Sequence, residues 1–192
     1  MDTQRLLRSF FLILPLVGIA ASTRNPASAQ TPCQFEWLAG DPVPGVDGVI
    51  YAMTTWDDGC GPALYVGGQF VVAGPHPTTN IAKWNGSEWQ PMVTSMTATF
   101  VPQIHAFAAY GGELIAAGYF NTINGVAARS IARWNGVAWQ PFPGELPTSV
   151  DWVHCLMEYQ GALYAGVTEL LAPGQVGGRV LRWDGSTWRP VG

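Results

Sequence analysis

One hairpin, written three times, constrains this chain more than any other feature. Ile81-Ala82-Lys83-Trp84-Asn85-Gly86-Ser87-Glu88-Trp89-Gln90-Pro91 recurs as Ile131-Ala132-Arg133-Trp134-Asn135-Gly136-Val137-Ala138-Trp139-Gln140-Pro141. It returns as Val180-Leu181-Arg182-Trp183-Asp184-Gly185-Ser186-Thr187-Trp188-Arg189-Pro190, the offsets being 50 and then 49 residues. Upstream in each unit a second element repeats: Leu64-Tyr65-Val66-Gly67-Gly68-Gln69-Phe70, Leu114-Ile115-Ala116-Ala117-Gly118-Tyr119-Phe120, and a degraded Leu163-Tyr164-Ala165-Gly166-Val167. A period this long marks an array of supersecondary units, each burying its apolar face against its neighbour. Trp37, 52 residues before Trp89, fits the closing Trp of an incomplete earlier unit.

Each unit predicts four short strands. Strand one is an alternating run such as Ile104-His105-Ala106-Phe107-Ala108-Ala109-Tyr110, with the period of two expected of a strand. Gly111-Gly112 turns the chain into strand two, a polar loop of about ten residues follows, and strand three ends at Trp134. Asn-Gly is a strong hairpin signal, since a type I′ turn needs positive φ at both central residues. Read as a two-residue loop, Asn85-Gly86 sets Trp84 opposite Ser87, Lys83 opposite Glu88 in a charge pair, and Trp84 diagonal to Trp89. Strand four stops at a proline, which suits the end of an edge strand. Trp84, Trp89, Trp134, Trp139, Trp183 and Trp188, with Gly67 and Gly68, read as structural residues that pack and turn these sheets. The expected division is a leader at 1–29, an N-terminal segment at 30–46 with a strand near Trp37, and units at 47–92, 101–142 and 150–192.

A four-stranded unit of about 50 residues with glycine turns and a Trp in each hairpin is the pattern of a β-propeller blade. Through Leu64-Tyr65-Val66-Gly67-Gly68 and the Ile-Ala-x-Trp-Asn-Gly-x-x-Trp hairpins at 81–89 and 131–139, the chain resembles kelch and galactose-oxidase-like propellers. It resembles still more closely the tandem repeats of secreted bacterial proteins. The resemblance covers roughly residues 35–192 and implies an all-β fold of propeller-type blades. Propellers close with about four to eight blades, and three are present. The expectation is therefore a truncated product, an oligomer that completes the ring, or an open arc. Uncovered blade faces predict self-association.

The first residues read as an address. Arg5 and Arg8 precede a twelve-residue apolar run from Phe10 to Ala21, and Ala27-Ser28-Ala29 supplies the small residues of a cleavage site. Twelve residues fall short of the roughly 20 that span a bilayer, so this is a secretory leader cut before Gln30. No membrane role is expected after cleavage, and the location is extracellular or periplasmic. Removing 1–29 takes away Asp2, Arg5, Arg8 and Arg24, leaving 12 acidic and six basic residues, the cations too scattered to hold a nucleic acid. Export permits disulfides. Of Cys33, Cys60 and Cys155, a Cys33–Cys60 bridge would pin the start of the mature chain to a nearby loop, with Cys155 left as a small buried residue.

Repeat alignment sets Tyr51, His105 and His154 at one equivalent position on strand one, which in propellers is the innermost strand. Two imidazoles and a phenol at matching heights are ligand types that hold transition metals. The galactose-oxidase resemblance implies copper, but that chemistry also needs a Tyr–Cys crosslink. The expectation is thus no metal, no cofactor and no catalytic residue, with these three as candidate binding residues. Asp57-Asp58-Gly59 lacks the alternating ligands of a calcium loop and reads as a turn. Nucleophile-elbow, zinc-protease and phosphate-loop motifs do not occur. Two functions fit. One is a secreted, non-catalytic repeat module that binds protein or carbohydrate. The other is a secreted propeller enzyme of oxidase or lyase type with its site at the channel mouth.

Overall fold

The computed structural model describes residues 45–192. The leader, the segment around Trp37 and Cys33 with its proposed bridge lie outside the described residues. What is described is all-β, and three four-stranded antiparallel sheets carry it.

The first sheet is built from β1 (Val49–Asp57), β2 (Pro62–Gln69), β5 (Ile81–Trp84) and β6 (Trp89–Pro91), in that spatial order. The stretch read as a polar loop holds a small hairpin, β3 (Val72–Ala73) with β4 (His76–Pro77). After a short strand, β7 (Met96–Thr97), the pattern repeats. The second sheet orders β8 (Gln103–Tyr110), β9 (Glu113–Tyr119), β12 (Ile131–Trp134) and β13 (Trp139–Pro141). Its loop hairpin, β10 (Thr122–Ile123) with β11 (Val126–Ala127), takes β7 as a third strand and so straps the first unit to the second. The third sheet runs β14 (Val150–Tyr159), β15 (Ala162–Ala172), β16 (Gln175–Trp183) and β17 (Trp188–Pro190). Here the loop hairpin is gone, and β15 and β16 extend into one long ribbon turned at Gly174, whose φ is 77°.

Each unit is thus a propeller-type blade. The first strands β1, β8 and β14 lie side by side along the inner edges. Each blade packs its front against the back of the blade before it. Tyr65 and Ile81 on the back of blade 1 meet Ile104, Leu114, Ala116 and Trp139 on the front of blade 2 in one core. Ile115, Ala117 and Ile131 on the back of blade 2 meet Val153, Leu163, Leu181 and Trp188 in the next. Each large side chain buried this way contributes roughly 1.5–3 kcal/mol. The closing Trp of a later hairpin also ties its blade to the chain leaving the previous one. Trp139 Nε1 donates to the Met92 carbonyl at 3.2 Å, and Trp188 Nε1 to the Gly144 carbonyl at 3.1 Å.

The hairpin register differs from the expected one. Trp84 pairs directly with Trp89 and Lys83 with Gln90, so the loop has four residues, not two. The Asn85 side chain explains this, because its Oδ1 accepts from the backbone N–H of both Ser87 and Glu88 at 2.9 Å. An Asx-type turn of this kind offers the backbone an alternative to the type I′ turn, and it leaves Gly86, at φ 101°, as the loop residue in the left-handed region. Asn135 and Asp184 make the same turn. The Trp rings sit opposite one another, with centroids 5.3, 5.4 and 5.6 Å apart in the three blades.

The expected Lys83–Glu88 pair does not form. Lys83 reaches instead to Asp58, in the turn where Asp57 Oδ1 accepts from Gly59 and Gly61 N–H. Burial works to raise the Asp58 carboxyl, but the Lys83 ammonium, the Cys60 N–H and the Tyr65 hydroxyl outweigh it and hold it below the usual range.

Candidate functional site

The inner edge of the three blades gathers the chemistry. In each first strand the ladder skips one residue at the same step. Ile50 pairs with Gly68 and Ala52 with Gly67, which leaves Tyr51 unpaired. Ile104 pairs with Gly118 and Ala106 with Ala117, leaving His105. Val153 pairs with Val167 and Cys155 with Gly166, leaving His154. A β-bulge re-aims the side chain of its extra residue and is common beside functional sites. The three candidate binding residues are therefore the bulge residues of three successive blades.

Two glycines serve this geometry, Gly68, expected to be structural, and its blade 2 equivalent Gly118. A Cβ on Gly68 would lie 1.9 Å from the Val49 carbonyl oxygen, and one on Gly118 would lie 2.1 Å from that of Gln103, so the bulge closes against bare backbone. Blade 3 carries Val167 at that step and has a second irregularity, between Val150 and Trp152. Gly67 serves packing instead, since its missing Cβ leaves room for Ile104 and Phe107 of blade 2.

The bulge residues meet across blades. Tyr51 and His105 stack face to face, with centroids 4.6 Å apart and planes 6° from parallel. His105 and His154 meet edge to face at 5.9 Å. Trp152 closes the group, stacked on His154 at 5.7 Å and edge-on to His105 at 5.4 Å. From Trp152 the row continues to Tyr119 at 5.0 Å and on to Phe100, whose ring is 80% exposed. Tyr51 and His154 are exposed and His105 is half-buried.

An amide relay orients the central imidazole. Gln103 Nε2 donates to Gln69 Oε1 at 3.1 Å, which leaves Gln103 Oε1 to accept from His105 Nε2–H at 2.9 Å. Burial, followed by the neighbouring His154, pushes the His105 imidazole below its ordinary value. His154 Nε2 is shared with Thr168 Oγ1 at 2.8 Å. The Nε2 atoms of the two imidazoles are thus turned to neighbours on their own blades, and among the described residues no three His, Cys, Asp or Glu side chains gather to hold a metal. The copper-type arrangement implied by the oxidase resemblance has no geometric support here.

Beside the row a groove of about 280 Å³ opens between blades 1 and 2, lined by Gln69, Phe70, Asn80, Val101 and Pro102. Below Trp152 the buried carboxylate of Glu169 pairs with Arg179 at 3.1 Å and accepts from Ser149 Oγ at 3.4 Å. Sequence reasoning missed Trp152, Tyr119, Phe100, Gln69 and Gln103. Trp152 lies two residues before His154 and Gln103 two before His105, a shared offset that was there to be found. Cys155, expected buried, is exposed on the back of blade 3, a face that no other blade among the described residues covers.

No family model matches the chain, and neither a curated protein nor a solved structure matches it either.

Proposed function

We propose that this protein is an exported, non-catalytic repeat module of kelch-like kind that binds carbohydrate along the inner row of rings. The observation that carries the reading is the one-residue bulge repeated at the same ladder step in three blades, which lines up Tyr51, His105 and His154. Small-molecule sites are largely apolar and aromatic, with a few placed polar groups that fix orientation. Phe100 and the half-buried Trp152 offer apolar ring surface, backed by the buried Tyr119, and Gln69 and Gln103 offer amides. The row carries no formal charge when its imidazoles are neutral. A neutral sugar, with an apolar C–H face and a rim of hydroxyls, matches that chemistry better than a charged peptide does.

Calorimetric titration of the purified chain with neutral cello-, xylo-, manno- and chito-oligosaccharides tests the reading. At least one series is expected to bind, and Trp152→Ala is expected to weaken it at least tenfold. Heats at the dilution baseline for all four series, or binding unmoved by Trp152→Ala, would overturn it.

A further inference from the structure

We propose that the cavity between the loop hairpin of blade 2 and the chain leaving that blade binds a small zwitterion with an apolar side group, of the α-amino-acid type. The cavity measures about 430 Å³, within the roughly 300–1,000 Å³ usual for small-molecule sites. It borders the end of β13, the strand of blade 2 farthest from the inner β8, and none of its lining residues belongs to the row of rings. The inference stands independently of carbohydrate binding.

Blade 1 shows the same place closed. There Thr79 N–H donates to the Val93 carbonyl at 2.7 Å, and the Thr78 hydroxyl is shared between the Ile81 and Val93 carbonyls at 2.6 and 3.2 Å. Val93 is fully buried. The chain beyond it is held by blade 2, since Asn124 Oδ1 accepts from Thr94 N–H at 2.8 Å and β7 pairs with β10. Blade 2 repeats most of this loop. Ala128 N–H donates to the Asn121 carbonyl as Thr78 does to Val71, and Ser130 N–H to the Phe120 carbonyl as Asn80 does to Phe70. The 50-residue offset, however, puts Ala128 in place of Thr78 and Pro143 in place of Val93. The hydroxyl is gone, Pro143 is exposed, and no counterpart of the Thr79–Val93 bond forms at Arg129. Blade 3 has its long ribbon where blade 2 has β10 and β11, so no such hairpin straps the chain leaving blade 2. What Val93 seals in blade 1 is therefore open in blade 2.

The groups left at this cavity carry opposite charges. Arg129, on the loop hairpin, is exposed and donates from Nη2 to the Thr148 carbonyl at 3.4 Å. Glu145, on the departing chain, is exposed too. Both line the cavity, yet among the described residues neither makes an ion pair, with the other or elsewhere. Arg133, by contrast, is engaged by Glu113 at 3.0 Å and by the Pro141 carbonyl at 3.1 Å. Ile131 and Phe142 supply buried apolar wall. A guanidinium takes a carboxylate through two parallel hydrogen bonds, and a carboxylate takes an ammonium. An anion alone would meet repulsion from Glu145, and a cation alone would meet it from Arg129 and Arg133. A ligand bearing both charges on one small body answers both groups, and an apolar side group suits the wall between them.

Calorimetric titration of the purified full chain with L-leucine and L-phenylalanine tests the site. Each is paired with analogues that lack one charge, isocaproate and isoamylamine for the first, hydrocinnamate and phenethylamine for the second. At least one amino acid is expected to bind with a dissociation constant of about 1 millimolar or tighter, and its one-charge analogues at least tenfold more weakly. Arg129→Gln and Glu145→Gln should each weaken that amino acid at least tenfold. Both residues are exposed, so the thermal midpoint should hold in each variant. The double variant Ala128→Thr/Pro143→Val, which restores the residues of blade 1, is expected to weaken binding as well. Absence of heat with both amino acids at about 10 millimolar would overturn the proposal. An analogue that binds as tightly as its amino acid would overturn the zwitterion assignment. Binding unmoved by Arg129→Gln and by Glu145→Gln would overturn the assignment to this cavity.

Discussion

The backs of blade 1 and blade 3 are nearly one surface in two settings. Each has a tyrosine in its second strand, a β-branched aliphatic residue opposite a glycine, and a large aromatic near the end of its first strand. One is sealed by the following blade, and the other faces solvent. The difference teaches that burial in this fold is conferred by the neighbour and not by the blade. Identical local instructions yield a core residue in one place and an exposed one in another.

The largest expected effect that sharpens this comparison is on stability. Ile81→Ala should cost about 2–5 kcal/mol, as for other large-to-small changes in a packed core. Val180→Ala, at the aligned position, should stay within about 0.5 kcal/mol in dilute solution where the chain is monomeric. Urea titrations of both variants at sub-micromolar concentration read the two numbers. Equal costs would mean that the back of blade 3 is covered after all.

A smaller contrast lies in two aligned glycines of these backs, Gly67 and Gly166. Gly67→Ala places a methyl 2.5 Å from Ile104 and 2.7 Å from Phe107, so overpacking should cost about 1–3 kcal/mol. Gly166→Ala meets the movable Cys155 side chain and should cost well under that in the dilute monomer. Thermal midpoints of the two variants check the ordering, which breaks if Gly166→Ala proves the more damaging.

The smallest expected effect concerns pH. His105 is held below its ordinary value by burial and by His154, so the unfolded chain takes up its proton first as pH falls. The associated stability is complete above the unfolded value near 6.5 and declines as pH drops toward the lower folded value. His105→Gln should remove part of the loss between pH 7.5 and 5. An imidazole titration by NMR with a midpoint above 6.5 would contradict the account.

Much of this architecture was legible in the sequence because it is repeated. The period and the strand content are properties of local pattern, and three copies make the pattern hard to mistake. The register of the hairpin was not legible. It depends on whether Asn85 bends its backbone into a type I′ turn or folds its own side chain over the loop, and the letters are the same in both cases. The bulge hid for a related reason. A strict period of two sets Ile104 on one face with Ala106 and Ala108, whereas the structure places it with Phe107 against Gly67. Of the site, the three bulge residues emerged from alignment. The Gln69–Gln103 relay emerged only when neighbouring blades were brought together, since no single unit contains it.

The bulge has one further consequence, for insertions and deletions. Tyr51, His105 and His154 are surplus letters in their strands, because the ladder on either side of each is already in step without it. Deleting His105 alone would leave Ile104 across from Gly118 and Ala106 across from Ala117, a regular strand with its ring removed. Deleting Ala108 instead would draw His105 into the ladder and turn Ala106 and Phe107 to opposite faces. The inner edge therefore holds three positions at which the reading frame of the sheet is indifferent to the presence of a residue, so the contents of the row can be exchanged, shortened or restored without rewriting the blades that carry it.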